Sequence, residues 1–82
     1  MYYLTISARP ESNISIFVHN IETNKVEETY NVFYFNLISA IEDLANNFEF
    51  DLIIIIGPTK YCEKIKQIID EETNYKYTVT LE

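Results

Sequence analysis

Hydrophobic and polar positions alternate at the start of this chain. Tyr2, Leu4, Ile6 and Ala8 fall on one side of an extended segment, and Tyr3, Thr5 and Ser7 on the other. A period of two predicts a strand with one buried face. Arg9-Pro10-Glu11-Ser12-Asn13 is turn chemistry, since Pro fixes φ and Ser and Asn bond locally to backbone. Residues 14 to 21 alternate again, with Ile14, Ile16 and Val18 on one face and Phe17, His19 and Ile21 on the other. Apolar groups on both faces predict partial cover on both sides. Glu22-Thr23-Asn24-Lys25 then reads as a tight hairpin turn in which Asn24 takes the positive φ. Val26 to Val32 forms a third strand, with Val26, Glu28, Tyr30 and Val32 on one face. Its charged residues suit an edge, where they discourage unwanted pairing.

From Asn36 the period lengthens. Leu37, Ile41, Leu44, Ala45 and Phe48 recur at helical spacing, and Glu42, Asp43, Asn46 and Asn47 take the opposite face. Asn36 is a good cap for this helix, and Ser39-Ala40-Ile41-Glu42 matches a capping box. Leu52 to Ile56 shows no polar alternation, the pattern of a central strand covered on both faces. Gly57-Pro58-Thr59 ends it, with Thr59 as the expected N-cap of a second helix carrying Tyr61, Ile65, Ile68, Ile69 and Glu72. Thr73-Asn74 stops that helix. Tyr75, Tyr77, Val79 and Leu81 then alternate with Lys76, Thr78 and Thr80 as a last strand.

The element order is β-β-β-α-β-α-β over one domain, residues 1 to 82. The first three strands make an antiparallel meander. Right-handed crossovers make the last two strands parallel to the first, and the predicted fold is a five-stranded mixed α/β sheet of order 3-2-1-4-5 with two helices. This order resembles the ribonuclease-H-like fold across nearly the whole chain. The fold serves nucleases, resolvases, and sugar-kinase and actin-like ATPases, so it does not by itself fix a function.

The nucleases the chain resembles use acids in the first strand, the first helix and the end of the fourth strand to hold two cations. Here the first strand, Tyr2 to Ala8, has no acid, and Ile56-Gly57 has none either. Glu42 and Asp43 in the helix read as a solvated face. The ATPases place Gly-rich phosphate loops after the first strand, whereas Ala8-Arg9-Pro10-Glu11 contains no Gly. The resemblance therefore extends to the fold and not to metal-dependent or nucleotide chemistry, and no metal or cofactor is expected.

Composition narrows the remaining classes. The 82 residues include 13 acids and 6 Lys or Arg, a net charge of -7. That balance argues against direct nucleic-acid binding, which is driven by cationic side chains. A single cysteine, Cys62, rules out an internal disulfide and points to a reducing, cytoplasmic setting. No signal-peptide pattern is seen in Met1-Tyr2-Tyr3-Leu4, and the longest apolar run, Leu52 to Ile56, is too short for a membrane span. A composition rich in Ile and Asn with one Gly suggests an AT-rich genome and a small phage or mobile-element protein.

Two candidate sites follow. Gly57, Thr59 and Lys60 sit where a parallel strand meets a helix N-terminus, a place that attracts anions. One glycine and a Pro lacking its donor make this a weak phosphate loop, and turning and capping explain the same residues. His19 and Cys62 lie on separate elements, so neither forms a recognisable catalytic pair. The aromatics Tyr3, Phe17, Tyr30, Phe33 and Tyr34 concentrate in and after the meander, and an exposed aromatic patch is a usual interface composition. The expected function is a non-enzymatic protein-interaction module, whose partner is another protein or a second copy in a homo-oligomer. The alternatives are an acidic inhibitor that mimics nucleic-acid charge on a partner, through Glu22, Glu27-Glu28, Glu42-Asp43 or Asp70-Glu71-Glu72, and a degenerate phosphate- or nucleotide-binding domain at Gly57 to Thr59.

Overall fold

A computed structural model describes residues 1–9 and 13–81. Five strands, β1 (Tyr2–Ser7), β2 (Asn13–Asn20), β3 (Lys25–Phe33), β4 (Phe50–Gly57) and β5 (Lys76–Leu81), form one sheet of order β3-β2-β1-β4-β5. β2 is antiparallel to β1 and β3, and β4 is parallel to β1 and β5. This is the predicted mixed α/β sheet, in the strand order of the ribonuclease-H-like fold. Helices α1 (Leu37–Asn47) and α2 (Thr59–Glu72) provide the crossovers, and a 3-10 turn over Tyr34–Asn36 leads into α1. The Pro10 to Ser12 part of the first predicted turn lies outside the described residues.

The step from β3 to β4 and the step from β4 to β5 advance the same way across the sheet. Right-handed connections therefore carry both helices over the same face. A single core results, in which Leu4, Ile6, Ile14, Ile16, Ile53 and Ile55 meet Leu37 and Ile41 of α1 and Cys62, Ile65 and Ile69 of α2. Ala45, expected on the apolar face of α1, is exposed. Its place on that face is a matter of spacing, and Leu37, Ile41 and Leu44 already fill the contact. Glu72 of α2 is likewise exposed, because the buried stripe turns through Cys62, Ile65 and Ile69.

Three local expectations change. β4 was expected to be covered on both faces, but only Phe50, Ile53, Ile55 and Gly57 are buried, while Leu52, Ile54 and Ile56 are half-buried. The reason is that no described helix lies on the second face. Val26 does not share a face with Glu28, Tyr30 and Val32. Val18 pairs with Glu28 and His19 with Val26, so a bulge at Glu27 turns Val26 to the opposite side. Thr59 is the first residue of α2 and not its cap. Pro58 takes the N-cap position, and its carbonyl accepts from the N–H groups of Tyr61 and Cys62 at 3.0 Å each. At α1, Asn36 occupies the cap position without a side-chain cap bond, and the Ser39 box lies inside the helix.

Two turns behave as their residues require. Asn24 has φ 57°, the left-handed conformation that Asn tolerates better than most residues. Thr73 closes α2 by donating its hydroxyl to the Ile69 carbonyl at 2.8 Å, while its own N–H bonds the same oxygen.

Candidate functional site: the helix-free face of the sheet

Side chains of directly paired residues lie on one face of a sheet. Tyr3 pairs with His19, Thr5 with Phe17 and Ile54, and Ser7 with Ser15 and Ile56. On the outer strands Ile54 pairs with Thr78 and Ile56 with Thr80, and His19 with Val26. These residues share the face opposite the helices. They line a shallow hollow of about 570 Å³ formed by Tyr3, Thr5, Phe17, His19, Val26, Ile54, Ile56 and Thr80. Its floor is Thr5 on β1. Its walls are Phe17 and His19 on β2 and Ile54 and Ile56 on β4.

Polar contacts order the hollow. The rings of Tyr3 and His19 stack with centroids 4.5 Å apart and planes within 1°. His19 Nε2 shares a 2.9 Å hydrogen bond with Thr5 Oγ1, which satisfies the buried hydroxyl. Phe17 approaches the same imidazole at 6.5 Å. Desolvation holds the His19 pKa below its ordinary value, which favours the neutral ring. Among the described residues no Asp, Glu, Lys or Arg lines the hollow. The described acids lie elsewhere, six of them (Glu42, Asp43, Glu63, Asp70, Glu71 and Glu72) on the two helices across the sheet.

The sheet divides the predicted aromatic patch. Tyr3 and Phe17 belong to the hollow. Phe33 pairs with Asn13 at the far end of β3 and stacks on the exposed Phe35 at 5.5 Å. Tyr30 pairs with Ile16 on the helix side, where it donates its hydroxyl to Glu28. Tyr34 packs against the core and hydrogen-bonds the Arg9 carbonyl at 3.0 Å, with Lys64 Nζ 4.4 Å from its ring centre. Burial raises the Tyr34 pKa, helped by Tyr61 and Cys62 nearby. The residues of the hollow that sequence reasoning did not assign to a site are Thr5, His19, Val26, Ile54, Ile56 and Thr80. The one visible signal was the unbroken Ile run, which supplies one residue to the core and the next to the hollow.

The Gly57 corner has a packing explanation. Gly57 has φ 146°, and a Cβ there would stand 2.5 Å from the Ala8 carbonyl oxygen. The chain needs glycine for this close approach of β4 to the end of β1. Thr59 and Lys60 are exposed, and Lys60 Nζ lies 5.4 Å from the Tyr61 ring centre. The structure brings Gly57, Thr59 and Lys60 together only as sequence neighbours. Cys62 is buried on the helix side, with its thiol 3.4 Å from the Gly57 carbonyl, so the sheet separates it from His19. Among the described residues no three metal-binding side chains cluster, and no helix is long and apolar enough to cross a membrane.

The sequence matches no protein-family model and no curated protein.

Proposed function

We propose that this domain is a non-enzymatic protein-interaction module that docks its partner on the helix-free face of the sheet. The observation that supports this reading is the uncharged hollow of Tyr3, Phe17, Val26, Ile54 and Ile56 in a chain of net charge -7. An antiparallel or mixed sheet can leave one face to water, but such a face normally alternates to polar residues. Here isoleucine, phenylalanine and valine occupy it, and a continuous apolar surface of this kind marks interaction sites. The lone His19 is held by Thr5 and Tyr3, and among the described residues lining the hollow there is no carboxylate or thiol, which favours binding over acid-base catalysis. Composition supports a cytoplasmic protein of a phage or mobile element.

The reading is tested by affinity capture with the wild type, Phe17→Glu and a helix-side control, Gln67→Glu. Partners retained by the wild type and the control but lost from Phe17→Glu are the expected result. Equal capture by all three proteins would place the docking surface elsewhere.

A further inference from the structure

We infer that the occupant of the helix-free face is a second copy of this chain, packed sheet against sheet about a two-fold axis. This rests on the docking role proposed for that face. Three observations carry it.

The first is the alternation of bulk across the strands. Along one row, residues run Thr29, Phe17, Thr5, Ile54 and Thr78 from β3 to β5, and along the next Asn31, Ser15, Ser7, Ile56 and Thr80. β4 is thus a ridge beside the trough of β1. A two-fold axis parallel to the strands, lying between the two sheets and over the gap between β1 and β4, exchanges these strands. It sets Ile54 and Ile56 of each copy over Thr5 and Ser7 of the other, and Phe17 over Thr78. Large thus meets small at Ile54 over Thr5, Ile56 over Ser7 and Phe17 over Thr78, as close packing of facing layers requires, while Ser15 meets Thr80 with two small side chains, and the contact is isologous, each copy offering the same surface.

The second is charge. Two molecules of net charge -7 repel, so an association surface must keep their acids apart. Among the described residues the hollow contributes no acid, and the helix acids lie on the far side of each sheet. With layers about 10 Å apart, helix layers of a face-to-face pair stand about 30 Å from one another. This is several times the screening length of about 8 Å at physiological ionic strength. A basic partner, by contrast, would find no carboxylate among the described residues of the hollow to pair with.

The third is area. The axis over the gap between β1 and β4 leaves β3 without a facing strand, so four strands about 4.8 Å apart and six residues long present a footprint of about 380 Å² per copy. Two copies together cover about 770 Å², below the roughly 1,000 Å² of a stable specific interface and in the range of weak, transient contacts. The dimer is therefore weak and concentration-dependent.

Sedimentation velocity on the full chain, from about 10 μM to about 1 mM, reads this directly. The expected result is a mass rising from 9.7 kDa toward twice that value, more completely at 0.5 M than at 0.15 M NaCl because salt screens the residual repulsion. Ile54→Lys is expected to abolish the rise, and Phe17→Ser to weaken it at least tenfold, each with an unchanged circular dichroism spectrum. Ile21→Lys, in the exposed turn, is expected to leave it intact. A wild type that stays at 9.7 kDa at the highest concentration in both salts would overturn the proposal. So would association that survives both Ile54→Lys and Phe17→Ser. A monomer whose captured partners still depend on Phe17 would remove the second copy and leave the interaction module standing.

Discussion

On the helix side of the sheet Leu4, Ile6, Ile53 and Ile55 are fully buried, whereas Ile54 and Ile56, each one residue away along β4, remain half-exposed on the other side. Ile53 and Ile55 share β4 with Ile54 and Ile56, a strand with parallel neighbours on both sides, a context that usually means cover on both faces. The difference comes from connectivity. Both crossovers run in the same direction across the sheet, so α1 and α2 cover one face together. Polar groups on the second face then act as spacers among apolar ones. The small Thr5 and Ser7 leave a trough along β1 beside the Ile54 and Ile56 ridge, and His19 bonds Thr5 within it. The same residue type thus has two roles, set by which way the pleat points it.

This contrast can be broken by substitution. Ile55→Ala removes bulk from the closed core and is expected to cost about 2–5 kcal/mol. That is a large share of the about 4–12 kcal/mol available to a domain of this size. Ile56→Ala, in monomer conditions, is expected to cost less than about 1.5 kcal/mol, because its side chain already meets water. Urea unfolding of both variants gives the comparison, and equal losses would mean that the two faces are equally packed.

Gly57→Ala probes the point where β4 passes Ala8. The positive φ and the 2.5 Å approach to a backbone oxygen predict a loss of about 1–3 kcal/mol. A neutral outcome in thermal melts would show that β4 and β1 can separate locally at no cost.

The smallest effect concerns His19. Its folded pKa lies below the unfolded value of 6.5 because the fold desolvates the charged ring. Tyr3, Thr5, Phe17 and Val26 face it, and none of them carries charge near neutrality. Between the folded pKa and 6.5 the unfolded chain binds more protons, so this contribution is fully present above pH 6.5 and is lost as pH falls through the folded pKa. Urea midpoints measured from pH 7.5 down to 5.5 should fall more steeply for the wild type than for His19→Gln. Parallel profiles would show that the ring is as well hydrated in the fold as outside it.

Much of the fold was legible in the sequence. Alternation over residues 2 to 8 and 14 to 21 identified β1 and β2, and the helical spacing of Leu37, Ile41 and Leu44 identified α1. Asn24 announced its own turn, because few other side chains accept a left-handed conformation. Right-handed crossovers gave the strand order. The candidate site was legible only in part. Tyr3 and Phe17 were found as aromatics, but Tyr30 and Tyr34 were grouped with them, and a linear pattern does not show that the sheet places those two on the helix side. The Glu27 bulge was also hidden, since one extra residue reverses the face of Val26 without any change in local composition. Ile54 and Ile56 escaped notice because a run of isoleucines looks the same whether one face or two are covered.

By itself, then, the sequence determined the elements, their order and the glycine at position 57, since these depend on local backbone preference and on periodicity. The tertiary structure alone decided which face stayed open. Exposure depends on where the connections carry the helices, and that is a property of the assembled sheet and not of any single segment.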